Sequence, residues 1–563
     1  MKKKILSIVF VLMAVCLSAF CFTACGNNDG DWGDGGETEG LSYVKIADKD
    51  EYSVREFGDA EDSEIVIPST YKGKPVTKIE NEAFKECEFI TSVVIPDSVK
   101  SIGASAFAKC SSLKRVMLGN SVISIGEKAF SDCYDLVEVV NKSEHVTIEK
   151  EETDNGYLGY YALAVFNSED EYINKFTTDA NGVKTFVDEE DKILVDYDKD
   201  KTEITISSDI TKIREYAFKG TTIISVYYTG TIDDWAEIER ENSNSNPLQN
   251  GAKLYINNEL VTEVNISTAT KISDYAFGNY DELTNLIIGD SVIKLGTEAF
   301  YDCDEMVSVI IGSGIVDIGG GTFKNCDKLS NLEIANSETN VDYSAFISCP
   351  IKTVKASSLV IKKLPDDEIE SVVITGGSSI ANSMLSGCDT LTSVVIGNSV
   401  TNIGSNAFNE CTSLTSVTIG NGVTSIGNFA FSDCSSLTNI IIPNRVTSIE
   451  MGVFSNCSSL RSIIIPDRVE SIGYYSFSDC TSLRSVVIPK SLAEIDSSAF
   501  RSCGSLQKIY YKGTKSDWRK VDIGTLGNEN IINATLYYYI ENEADVPATG
   551  NYWHYVDGVP TAW

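Results

Sequence analysis

Histidine is nearly missing from this sequence: His145 and His554 are the only two in 563 residues. A side chain that titrates near neutrality is the usual carrier of acid-base catalysis and a frequent metal ligand, so two isolated copies leave little material for either. Positive charge is short as well. Lysine and arginine number 46 against 81 acidic residues, a formal net charge of -35. A surface of that sign repels phosphate backbones, which excludes nucleic acid as an expected partner. No nucleophile and base pair, phosphate loop or multi-ligand metal spacing assembles from what remains. Gly319-Gly320-Gly321 has no Lys-Ser/Thr after it and belongs to the turn before Phe323. Asp196-x-Asp198-x-Asp200 opens like a calcium loop, yet Lys201 stands where the sharp turn wants glycine and no closing Glu follows, so a solvated acidic stretch is expected. The chain is read as non-catalytic, without cofactor or metal.

What is present suffices for a buried core, with 42% hydrophobic and 23% charged residues. The first 24 residues form a leader: Lys2, Lys3 and Lys4, then an apolar run from Ile5 to Phe20 too short and too close to the start for a stable spanning helix. At its end, Phe22-Thr23-Ala24-Cys25-Gly26 resembles the lipobox of bacterial lipoproteins, which implies cleavage before Cys25 and lipid attachment to its sulfur. Residues 25–43, rich in Gly, Asp, Glu and Asn, read as a flexible tether.

The body is one unit repeated. Phenylalanines recur 23 apart at 84, 107 and 130, at 277, 300, 323 and 346, and at 408, 431, 454, 477 and 500, while Phe218 and Leu385 mark two more copies. Each copy runs Leu-x-x-Val-x-Ile, then Val-x-x-Ile, then Ala-Phe-x-x-Cys. The Val-x-Ile piece alternates as a strand should, and Pro or Gly closes it, as at Pro96, Gly420, Pro443 and Pro466. A unit of 23 residues cannot bury its own apolar side, so it must stack on its neighbours. The expected fold is a β-rich solenoid of 23-residue coils, with a parallel sheet and short helical or turn returns. Leu-x-x-Val-x-Ile followed by Ile-Gly-x-x-Ala-Phe-x-x-Cys resembles the BspA-like leucine-rich repeats of bacterial surface proteins. That resemblance implies a place outside the cell and a role in adhesion or host contact.

Twelve of the fifteen cysteines share one place in the repeat, from Cys87 to Cys503. Equivalent side chains in stacked coils stay near the strand spacing of about 4.8 Å, longer than a disulfide prefers, so a buried thiol column is expected instead of bridges. Leucine-rich repeat block 1 spans 44–140 and block 2 spans 257–512. Between them, 141–205 is an acidic insertion, and 206–256 holds a degenerate repeat with a Trp-containing joint module. Tyr227-Tyr228-Thr229-Gly230-Thr231 leading to Asp234-Trp235 is duplicated by Tyr510-Tyr511-Lys512-Gly513-Thr514 leading to Asp517-Trp518. The second copy opens a C-terminal cap and aromatic tail, 513–563.

Two surface features stand out. The residue between the inward Val and Ile of each strand faces outward, and the series Val395, Thr418, Ile441, Ile464 and Val487 forms a mostly apolar stripe fit for docking. Residues 385–512 carry 9 acidic and 8 basic residues, and Arg445 with Arg468, and Arg461 with Arg484, lie 23 apart, so each pair stacks on adjacent coils as a basic patch for an anionic partner. The reading is a monomeric cell-surface binding protein, anchored to the outer face of the membrane through Cys25, that presents its solenoid to proteins or glycans. The alternatives are a structural envelope protein without soluble ligand, or an enzyme with its site in 141–205.

Overall fold

The computed structural model describes residues 37–167, 175–188 and 191–563. The leader, Cys25 and the first part of the tether lie outside the described residues. The chain winds through about 21 turns of roughly 23 residues, a parallel-sheet β-solenoid with little helix. Contacts divide it into two compact units, one up to Glu190 and one from Asp191 onward, so the boundary falls inside the acidic stretch 141–205.

A turn of either unit has three sides. The first is the Val-x-Ile strand, exemplified by Ser416–Ile419, whose Val417 and Ile419 point inward. The second is a two-residue strand such as Ser425–Ile426, which pairs in parallel with Asn402–Ile403 one turn earlier. These short strands build parallel sheets of their own, where turns or helical pieces were expected. After them comes the Ile-Gly step, and a Cβ at Gly427 would sit 2.6 Å from the backbone nitrogen of Ser405, which is why no side chain fits there.

The third side carries the repeat phenylalanine, whose amide bonds the next turn, as from Phe408 N to Ala430 O at 2.8 Å. Two residues before and two after that phenylalanine the backbone is left-handed even without glycine, as at Asn406 (φ 57), Glu410 (φ 61), Phe429 (φ 57) and Asp433 (φ 59). Side-chain pattern alone does not reveal this, because Gly occupies the place only now and then, as at Gly452. Inside each unit the phenylalanines form files: neighbouring rings from Phe84 to Phe130, Phe277 to Phe346 and Phe408 to Phe500 lie 4.8 to 5.9 Å apart, with planes 3° to 18° from parallel.

Several turns lack the repeat motif. Thr353–Ser357 pairs in parallel with Ser371–Gly376, and between them a short turn holds the helix Ser358–Ile361. Each Trp segment is one long turn, shown by the registers Ser225↔Lys253 and Lys508↔Thr535. Each also opens its helix with the same capping box, Thr231 with Asp234 and Thr514 with Asp517.

Candidate functional site

Parallel register lines up the outward side chains. In one sheet Ile287, Ile310, Glu333, Lys355, Val373, Val395 and Thr418 are successive partners. In the next sheet the order is Ile464, Val487, Tyr510 and Tyr537. Ile441 stands on the turn between the two sheets. Lys355 and Val373 sit in turns that the 23-residue period passes over, and Lys355 forms an ion pair with Glu333 across one step of the row.

The open part of the row is shorter than the sequence implies. Ile441 is 77% exposed and Ile464 45%, and Val395 and Thr418 are open too. Val487, expected on the stripe, is only 3% exposed. The chain's own C-terminal hairpin, Tyr552–Val556 with Val559–Ala562, explains this: Trp553 packs with Val487 and Tyr510, and its indole nitrogen donates to the Tyr511 carbonyl at 3.0 Å. Val487 therefore leaves the candidate surface.

The arginines separate into two edges and do not form a single patch. Arg461 and Arg484 lie at the strand start, where the Arg484 amide donates to the Arg461 carbonyl at 2.8 Å. Arg445 and Arg468 lie beyond the strand end, two residues after Pro443 and Pro466. All four are exposed, and among the described residues none has an ion-pair partner. Ile441 and Ile464 are thus an apolar floor with free cations along both margins.

The same stretch interrupts the sheet. Among the described residues no ladder bond joins the segment 439–442 to Ser416–Ile419 or to Ser462–Ile464. Where glycine closes a strand, its amide bonds the preceding turn, as from Gly397 N to Ile374 O at 2.8 Å. Pro443 and Pro466 cannot donate, so both flanks of this segment lose that bond. The inward Val417 and Ile419 reach 8% and 9% exposure, against 1% and 2% for Val394 and Ile396 one turn earlier. The phenylalanine side stays bonded, with Phe431 N to Val453 O at 2.9 Å, and the 5.9 Å step from Phe431 to Phe454 is the widest of the file. The turns spread on the strand side and hold on the other.

The cysteine column is a file of largely buried thiols. All twelve thiols are free, eleven of them buried and Cys87 half-buried. Ten donate to the carbonyl of the phenylalanine, or of Leu385, one turn back, at 2.9 to 3.3 Å. Burial pushes Cys133, Cys303, Cys388, Cys411 and Cys503 from 9.0 up to about 12, the opposite of what a nucleophile needs. His145 is exposed, and His554 stacks on Trp563. In the acidic triplet, Asp196 pairs with Lys199 at 3.7 Å and Asp198 accepts from the Asp200 amide at 3.2 Å, so these carboxylates have partners within the chain. Among the described residues no cluster of His, Cys, Asp and Glu could hold a metal ion, and no helix is long and apolar enough to cross a membrane.

Stacked coils of this period, with a leucine, valine and isoleucine core and an open parallel sheet, define a leucine-rich repeat solenoid. The sequence model of the BspA type leucine-rich repeat region matches residues 57–156, 197–241, 251–367 and 378–515, and the chain belongs to that family. Among solved structures it is similar to a T. pallidum leucine-rich repeat protein, at 30% identity over 27% of this chain and 72% of that one, TM-score 0.26. A leucine-rich cell surface protein of Faecalibacterium prausnitzii matches at 19% identity over 89% and 99% of the two chains, TM-score 0.25. A leucine-rich repeat protein of Bacteroides ovatus matches at 20% over 84% and 98%, TM-score 0.30. No curated protein sequence matches the chain.

Proposed function

We propose that this protein is a non-catalytic recognition protein of the bacterial surface, held to the outer face of the membrane by lipid on Cys25. It binds a protein or glycan through the outward face at Val395, Thr418, Ile441 and Ile464. The observation that carries this reading is the exposed Ile441 and Ile464 floor between the unpaired Arg445, Arg461, Arg468 and Arg484. An exposed apolar strip costs solubility unless something covers it, and free guanidinium groups at its margins are suited to carboxylate or sulfate.

The test is a panel of extracellular-matrix proteins and a glycan array probed with the chain and with the double variant Ile441→Asp, Ile464→Asp. The variant is expected to lose at least about tenfold in affinity for whatever the chain binds, at unchanged melting temperature. Equal binding by both would remove this face from the function. Labelling with radioactive palmitate that survives Cys25→Ala would refute the anchor.

A further inference from the structure

The outward face is covered in both units, each time by an aromatic-bearing antiparallel hairpin of the chain itself. In the first unit the outward Met117 and Val140 are buried, and Phe166, the register partner of Val140, meets Phe176 and Phe186 of the hairpin Phe176–Thr178 with Val183–Asp188. A charge contact lies at the margin: Lys184 of that hairpin bonds the buried Glu138 at 3.3 Å. In the second unit Trp553 of the terminal hairpin covers Val487 and Tyr510, and again charge lies at the margin. There Lys512, which faces the Tyr555 ring, bonds Asp467 at 2.6 Å. Asp467 lies three residues beyond Ile464, so the covered stretch ends where the open strip begins.

The open strip repeats this arrangement with the cover missing: an apolar floor at Ile441 and Ile464, charge at both margins, and direct continuity with a face that already carries a hairpin. Its four arginines are unpaired, whereas the covered stretches carry the Lys184–Glu138 and Lys512–Asp467 contacts. Resting on the recognition reading above, we infer that the strip takes an acidic, aromatic-bearing extended segment of a protein partner, a strand or hairpin that lays an aromatic ring over Ile441 and Ile464 and sets carboxylates against the two arginine pairs. A polypeptide is favoured over a sulfated glycan because a glycan answers the arginines but leaves a 77% exposed isoleucine uncovered.

A disulfide-closed hairpin peptide with tryptophan on one face and glutamate at its strand ends tests this, by fluorescence anisotropy on the full chain. The same peptide with glutamine for glutamate, and a heparin fragment, are the comparison probes. The glutamate hairpin is expected to bind with an affinity that falls with salt. Arg445→Gln with Arg468→Gln, and Arg461→Gln with Arg484→Gln, should each weaken it about tenfold, since charge-assisted hydrogen bonds are lost. Ile441→Asp should abolish it, with near-ultraviolet circular dichroism and melting unchanged. Equal binding of the glutamine hairpin, or indifference to the substitutions, overturns the inference. Arginine-dependent heparin binding without hairpin binding also overturns it while leaving surface recognition standing. If neither probe binds, the inference fails, and the recognition reading falls only if the matrix and glycan panel is blank too.

Discussion

At the scale of single residues, the repeat cysteine does more than fill space. A buried thiol of the right size gives the carbonyl of the phenylalanine one turn back a second donor, as at Phe454 O, which accepts from the Cys457 amide at 3.3 Å and from Cys480 Sγ at 3.1 Å. Cys434→Ala, which strips the bond from Cys434 Sγ to Phe408 O at 3.2 Å and leaves a small void, should cost about 2 kcal/mol in urea unfolding. Native protein should resist thiol reagents until denatured. The thiols also tie stability to pH. In the folded chain burial holds Cys133, Cys303, Cys388, Cys411 and Cys503 at about 12, against 9.0 for a free thiol. Folding therefore favours the protonated form, and this contribution is complete below pH 9.0. Above 9.0 the unfolded chain sheds those protons first, so the contribution shrinks toward about 12. Calorimetry at increasing alkaline pH should show a falling melting temperature, and a steady value would contradict the assignment.

At the scale of elements, a buried carboxylate of the solenoid holds the hairpin of the acidic insertion, beside the strand pairing of Ala164–Phe166 with Glu138–Asn141. Glu138, fully buried on the strand Glu138–Asn141, meets the guanidinium of Arg115 on the neighbouring strand and Lys184 of the hairpin. Removing one member of a buried ionic group leaves the others uncompensated, so Glu138→Ala should cost about 3 kcal/mol, while a surface partner such as Glu305 should cost almost nothing. Comparable losses at both positions in urea melts would refute a special role for Glu138. The Trp elements show why motif matching stops short. Tyr227 to Trp235 and Tyr510 to Trp518 are plainly duplicates in the sequence, yet their surroundings differ: Trp235 is fully buried and donates to Ala276 O at 3.0 Å, whereas Trp518 is half-exposed. The terminal hairpin that covers Val487 lies outside the duplicated residues and follows no period, so nothing in the repeat announces it.

At the scale of the whole molecule, the spread between Ser416–Ile419 and Ser462–Ile464 is a weak link on the strand side of the second unit. Stability in a solenoid is a sum over neighbouring turns, so a missing ladder should appear as local opening without global unfolding. Hydrogen exchange at Ile440, Ile441 and Ile442 should run faster than at Val394, Val395 and Ile396, whose strand pairs on both sides. Uniform protection along the row would contradict the break. Because Ile441 lies in this gap, the loosest turn and the most exposed apolar side chain of the strip coincide.

The sequence by itself determined the coil. A period of 23 with fixed apolar places allows one way to bury them, by stacking, and so the phenylalanine files, the thiol column and the inward Val-x-Ile strands could be read before any coordinates. The tertiary structure alone decided which outward residues stay open. Ile441 and Val487 have the same local sequence pattern, yet one is open in a sheet break and the other lies in a paired strand under a distant hairpin. The left-handed residues beside each phenylalanine, the turns between 346 and 385 and the sheet break at 439–442 likewise depend on backbone geometry and on hydrogen bonds between turns, which side-chain identity at one position does not encode.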